Sequence, residues 1–65
     1  MTSNVLDLRQ DGPVIWATMN RPDRLNALSG DLVKALRDFF VELYWRRDVR
    51  VVVLRGAGSA FCAGL

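Results

Sequence analysis

Val51-Val52-Val53-Leu54-Arg55-Gly56-Ala57-Gly58-Ser59-Ala60-Phe61-Cys62-Ala63-Gly64-Leu65 is the stretch that decides the fold. The run from Val49 to Leu54 reads as a strand, and three consecutive β-branched residues within it favour a buried strand of parallel type. Gly, Ala and Ser then fill seven of the eleven places from Arg55 to Leu65. A loop of small residues leaving the end of a parallel strand is where α/β sheets put their ligands. Small side chains let backbone approach a ligand closely and present N–H donors to it.

A parallel strand reaches its partner through a crossover, and the upstream sequence supplies both. Leu32, Leu36, Phe39, Phe40 and Leu43 recur on one face of a helix, with Phe39 and Phe40 assigned to its core face. Ser29 is a suitable N-cap, and Asp31 in the first turn suits the positive end of the helix dipole. Glu42 and Arg46 have the i,i+4 spacing of a surface ion pair, and Arg46 and Arg47 complement the negative pole. Before the helix, Val14-Ile15-Trp16-Ala17-Thr18-Met19 reads as a strand apolar enough to be covered on both faces. Val5, Leu6 and Leu8 mark a shorter strand, joined to it by an antiparallel hairpin at Asp11-Gly12-Pro13. Asn20-Arg21-Pro22-Asp23-Arg24-Leu25-Asn26 holds a proline that a central strand excludes, so it is a loop. The expected order is ββαβ, an α/β unit with a right-handed crossover.

Composition bounds what this unit can be. Sixty-five residues make at most one small domain, against roughly 100–200 for a typical one. Hydrophobic residues reach 51%, so the chain reads as folded but incompletely covered. Cys62 is the single cysteine and histidine is absent, which excludes an intrachain disulfide, His-based triads and imidazole zinc sites; no metal site is expected. Nine basic and seven acidic residues alternate along the chain, with no basic stripe for nucleic acid. The longest apolar runs, Val14–Ala17 and Val51–Leu54, fall far short of the ~20 residues of a membrane span. Met1-Thr2-Ser3-Asn4 lacks the basic and apolar regions of a secretory signal, and with a lone thiol this points to a cytoplasmic location.

Few chemistries survive. Gly56 and Gly58 open a G-x-G, but Phe61 stands where a dinucleotide fingerprint needs its third glycine. Cys62 has no histidine to activate it and reads as a small buried residue. Glu42 is the only glutamate, and the six aspartates are scattered over turns, caps and surfaces, so no acid/base pair can be named. Tyr44, Trp45 and Trp16 are large enough to dominate a core or an interface, and Trp45 lies off the main helical stripe. Backbone chemistry remains: the tail could present N–H groups to a carbonyl oxygen as an oxyanion hole, beside the plainer reading of an ordinary glycine-rich loop.

Two segments resemble the crotonase superfamily, the enoyl-CoA hydratase/isomerase family. Asn20-Arg21-Pro22-Asp23-Arg24-Leu25-Asn26-Ala27-Leu28 is similar to its N-R-P-x-x-x-N-A-L, and the stretch from Val51 to Leu65 to its strand, G-x-G-x-x-F and F-C-A-G-x-D. The resemblance implies the N-terminal ββαβ portion of a crotonase (ClpP/crotonase-like) fold and a site for an acyl-CoA thioester. Coenzyme A would enter as part of the substrate, with no prosthetic group. By resemblance Arg24, Leu25 and Ala27 lie along the CoA moiety, with a basic side chain near its phosphates. The backbone of Ala63 meets the adenine end. The backbone N–H of Leu65 is one of two donors to the thioester oxygen, stabilising an enolate.

The family continues with Asp after the position of Leu65 and for roughly 200 residues more, beyond a typical domain's size. Its second oxyanion donor and the hydratases' catalytic glutamates lie there. Residues 1–65 are therefore expected to be the N-terminal part of one crotonase-like domain, inactive alone. Enoyl-CoA hydration is the first expectation for the intact protein, with enoyl-CoA isomerisation or another family reaction as the alternative. A non-catalytic βαβ interaction module is the rival from another class, and a nucleotide-binding half the third option. The family implies a homotrimer or hexamer.

Overall fold

The computed structural model describes residues 4–64. Strands β1 (Leu6–Asp11) and β2 (Val14–Met19) precede a 3₁₀ turn (Pro22–Arg24), helix α1 (Gly30–Leu43) and strand β3 (Val51–Gly56). The sheet order is β1-β2-β3, with β1 antiparallel and β3 parallel to the central β2. This is the expected ββαβ unit. Its hairpin turns at Gly12, whose φ of 59° lies in the left-handed region that glycine adopts without penalty.

Strand periodicity sorts the side chains. Ile15, Ala17 and Met19 alternate inward along β2, and the register places Leu6 opposite Met19, Leu8 opposite Ala17 and Val52 beside Ile15 on the same face. Helix α1 covers that face with Leu32 and Phe39, which join Leu6, Ile15, Ala17 and Met19 in the core. The helix starts as its sequence dictates: the Ser29 hydroxyl accepts from Leu32 N at 3.1 Å, satisfying one of the free first-turn donors.

The structure departs from expectation in several places. Strand β3 spans Val51–Gly56 rather than Val49 to Leu54. Its partner β2 begins only at Val14, and the Pro13 carbonyl accepts from both Arg50 N and Val51 N, closing the ladder there. The parallel strand expected to be buried is an edge of the described sheet, with Val51 and Leu54 exposed. Likewise, among the described residues β2 is covered on one face only. Trp16 on the other face is half-buried, with the Arg55 guanidinium 5.1 Å from its ring centroid and Arg55 Nε donating to Thr18 Oγ1 at 2.9 Å.

Phe40 is 46% exposed instead of core, because the 3.6-residue turn carries it to the edge of the apolar stripe that Phe39 centres. It lies with Val41, Tyr44 and Trp45 on a second, outward apolar face. The helix ends at Leu43 with no basic residue in its last turn, so Arg46 does not serve its pole. Nor does Arg46 pair with Glu42. It grips Asp48 through two bonds, Nε to Oδ1 at 2.8 Å and Nη2 to Oδ2 at 2.7 Å, and donates to Gln10 Oε1. The planar guanidinium fork fits a carboxylate two residues on better than a glutamate one turn back. This network joins the helix exit to the β1–β2 hairpin.

Candidate functional site

Because β2 and β3 are parallel neighbours, the loops that follow them leave the sheet side by side. Met19 and Gly56 are register partners, and Ala57 N donates to Met19 O at 2.8 Å as the second loop departs. The first loop, residues 20–28, coils tightly on itself. Arg24 N and Asn26 N both donate to Arg21 O, Leu25 N to Pro22 O, and Ala27 N to Arg24 O, at 2.8–3.2 Å. Leu25 and Asn26 take consecutive left-handed conformations, φ 53° and 55°. That conformation is uncommon for a leucine and well tolerated by an asparagine.

The second loop, residues 57–64, is laced to the first. Ala63 N donates to Leu25 O at 2.9 Å, and Leu28 N to Gly64 O at 2.7 Å. Asn26 adds the side-chain link. It is wholly buried: its Oδ1 accepts from Arg21 N at 2.8 Å, and its Nδ2 donates to Ala57 O at 2.9 Å and Ala60 O at 2.8 Å. The two glycines of the G-x-G serve this junction. A Cβ on Gly56 would lie 2.4 Å from Phe61 O and 2.6 Å from both Ala60 O and Asn26 Nδ2. At Gly58, φ 82°, it would lie 2.9 Å from Pro22 Cβ. The G-x-G lets one loop lie flat against the other.

The residues expected to meet a ligand converge on this junction. The Arg24 side chain is exposed and enters no ion pair among the described residues. Leu25 is 48% exposed and bonded through its carbonyl to Ala63. Ala27 is half-buried, and its carbonyl accepts from Arg21 Nη1. With every N–H from Arg24 to Leu28 taken internally, this loop can address a ligand only through side chains and carbonyls. Ala63 likewise has only its carbonyl left to offer. Leu65 lies outside the described residues. Cys62 is half-buried against the core, its Sγ accepting weakly from Gly64 N at 3.4 Å. The strongest ion pairing lies at the far end of the sheet, where the Arg46 guanidinium and then Gln10 hold the Asp48 carboxyl well below the ordinary carboxylate range.

Asn26 is the site residue that sequence reasoning passed over. It was legible as part of the first motif, and an asparagine in a turn signals a left-handed backbone. Its reach to carbonyls 31 and 34 residues away is a tertiary fact that no local pattern carries.

A ββαβ unit whose two loops interlock where the parallel pair ends is the N-terminal part of a crotonase-like fold. The sequence pattern of the enoyl-CoA hydratase/isomerase family matches residues 14–65. An enoyl-CoA hydratase/isomerase from Marinobacter aquaeolei superposes with a TM-score of 0.90 at 44% identity, over 95% of this chain and 24% of that one. A monofunctional enoyl CoA isomerase from M. smegmatis superposes at 0.89 with 35% identity, over 95% and 30%. A protein of Mycobacterium leprae named as a probable enoyl-CoA hydratase is 47% identical over 78% of this chain, and Arabidopsis thaliana 3-hydroxyisobutyryl-CoA hydrolase 1 is 45% identical over 72%. The chain belongs to the enoyl-CoA hydratase/isomerase family. It spans 17% and 12% of the lengths of those last two relatives.

Proposed function

We propose that this chain supplies the coenzyme A-binding loop and one oxyanion donor of an acyl-CoA enzyme, with hydration of a 2-enoyl-CoA as the reaction. The observation that carries the reading is the interlock of residues 25–28 with 60–64. It ties Leu25, which lies between Arg24 and Ala27 in the first motif, to Ala63 of the second, which supports a single ligand lying along both. Arg24 is an exposed cation with no ion pair among the described residues and is suited to a phosphate, and Leu25 is a half-exposed apolar contact beside it.

The donor role rests on Leu65, directly after the laced segment. A backbone N–H fixed at the thioester oxygen stabilises negative charge as it develops there. That makes the β-carbon of a 2-enoyl thioester more electrophilic and the α-proton of a 3-enoyl thioester more acidic, so the same donor serves hydration or isomerisation. Relatives named hydratase, isomerase and hydrolase share this segment, which fits a part common to several reactions. The side chains that choose among them, and assembly into a trimer or hexamer, would belong to the remainder of the protein.

The test compares the intact protein that carries this segment with its Arg24→Ala variant. Calorimetry should give acyl-CoA binding that weakens about 3–10-fold in the variant, equivalent to about 1 kcal/mol. The corresponding pantetheine thioester, which lacks the nucleotide phosphates, should bind both proteins equally. Equal losses for the two ligands would refute the phosphate assignment. Following crotonyl-CoA and a 3-enoyl-CoA in parallel separates hydration from isomerisation.

A further inference from the structure

We propose that Asn26 is a positioning residue: it fixes the loop that leads to the oxyanion donor relative to the loop that holds coenzyme A. The proposal rests on the functional reading above and adds a residue to it. Asn26 is fully buried, so it acts through the loops it joins and not on the ligand. Its carboxamide spends both N–H bonds on Ala57 O and Ala60 O and one acceptor site on Arg21 N. No other side chain hydrogen-bonds between the two loops among the described residues. The remaining ties are two backbone bonds, Ala63 N to Leu25 O and Leu28 N to Gly64 O.

These four links divide the labour. Those at Ala57 and Ala60 set the start and middle of the second loop, and those at Ala63 and Gly64 set its end. Without the carboxamide the end would still be tied, but the stretch leading to it could slide. A donor displaced by a fraction of an ångström still permits binding yet loses alignment with the carbonyl oxygen. Misplacement by about 1 Å can cost on the order of 10²-fold in rate. Asn26→Asp tests this with almost no change of shape. One oxygen can still accept from Arg21 N, while the other replaces a double donor and faces two carbonyls.

The experiment uses the intact protein that carries this segment, with Asn26→Asp and Asn26→Ala, each confirmed folded by circular dichroism. We expect kcat on an enoyl-CoA to fall about 10–100-fold while KM changes less than about 3-fold. Infrared difference spectra of bound acyl-CoA labelled with ¹³C at the thioester carbonyl supply a second readout. Wild type should lower the carbonyl stretch on binding, and the variants should lose most of that shift at saturating ligand. If Asn26→Ala does not fold, Asn26→Asp carries the test alone. A variant that keeps both kcat and the carbonyl shift, whatever its stability, overturns the positioning role and leaves Asn26 a fold clamp. A wild-type chain that binds acyl-CoA without shifting its carbonyl overturns the oxyanion reading itself, and this inference with it.

Discussion

Replacing Gly56 by alanine inserts one methyl group where the two loops meet. The added Cβ would sit 2.4 Å from Phe61 O and 2.6 Å from Ala60 O and Asn26 Nδ2, where ordinary contact begins near 3.4 Å. Two of these neighbours are backbone and the third is a carboxamide held at three points, so none can swing aside cheaply. The second loop must retreat by about 0.8–1 Å. That retreat stretches the 2.8 Å bond from Asn26 to Ala60 O to about 3.6 Å, beyond hydrogen-bonding range. The displaced loop costs about 1–3 kcal/mol as overpacking. The orphaned buried N–H adds about 1–3 kcal/mol. The expected loss is therefore about 2–6 kcal/mol.

Urea unfolding of the full chain measures that loss as a lower midpoint at unchanged slope. Two other glycines calibrate it. Gly30 opens α1 with nothing within 4 Å of its would-be Cβ, so Gly30→Ala should leave stability unchanged or raise it by up to about 1 kcal/mol. Gly12 has equal space but a φ of 59°, so Gly12→Ala should cost only the backbone term of about 1–2 kcal/mol. A Gly56→Ala midpoint within about 0.5 kcal/mol of wild type would refute the reasoning. So would a crystal structure of the variant that retains the Asn26–Ala60 bond.

Ser29→Ala removes the cap on Leu32 N and should cost about 1 kcal/mol in the same assay, whereas Ser29→Asp should retain most of it. Asp48 governs part of the acid response, since its folded pKa is depressed chiefly by its bonds to Arg46 and then Gln10. Its contribution is complete above the ordinary carboxylate pKa of about 3.9 and is lost as pH falls through the depressed value. Thermal melts should show wild type losing stability below pH ~4 more steeply than Asp48→Asn, and parallel curves would count against the network. Arg55→Ala uncovers one face of Trp16, so its fluorescence should become more accessible to iodide; unchanged quenching would exclude the stacking.

Elements with a period were legible in the sequence; junctions were not. The apolar recurrence from Leu32 to Leu43 located α1, and Ser29 located its start, because both signals lie within one turn of backbone. Strand β3 was found but set two residues early, since hydropathy at Val49 cannot reveal that Pro13 ends the partner ladder. Phe40 shares its hydropathy with Phe39, and only the angular position of each on the helix separates core from surface. Arg46 took Asp48 over Glu42 through a turn whose geometry follows the helix end. For the candidate site, the motifs singled out Arg24, Leu25, Ala27 and Ala63. What joins them, Asn26, was visible only as a letter.

The failed dinucleotide fingerprint carries the deeper consequence. In a phosphate loop glycine makes room for a ligand, whereas Gly56 and Gly58 make room for Asn26 and Pro22 of the same chain. Their space is already filled, so the second loop holds its shape before any ligand arrives. The first loop is equally fixed: all its N–H groups from Arg24 to Leu28 are bonded, and wrapping a phosphate with backbone would break them. On the proposed function, a phosphate would then be met by side chains such as Arg24, which can be exchanged without disturbing the junction. Preorganised donors stabilise developing charge without reorganising at the moment of reaction. On the proposed function, a junction fixed in advance would serve hydration, isomerisation or hydrolysis alike, with the acid and base supplied from elsewhere in the protein.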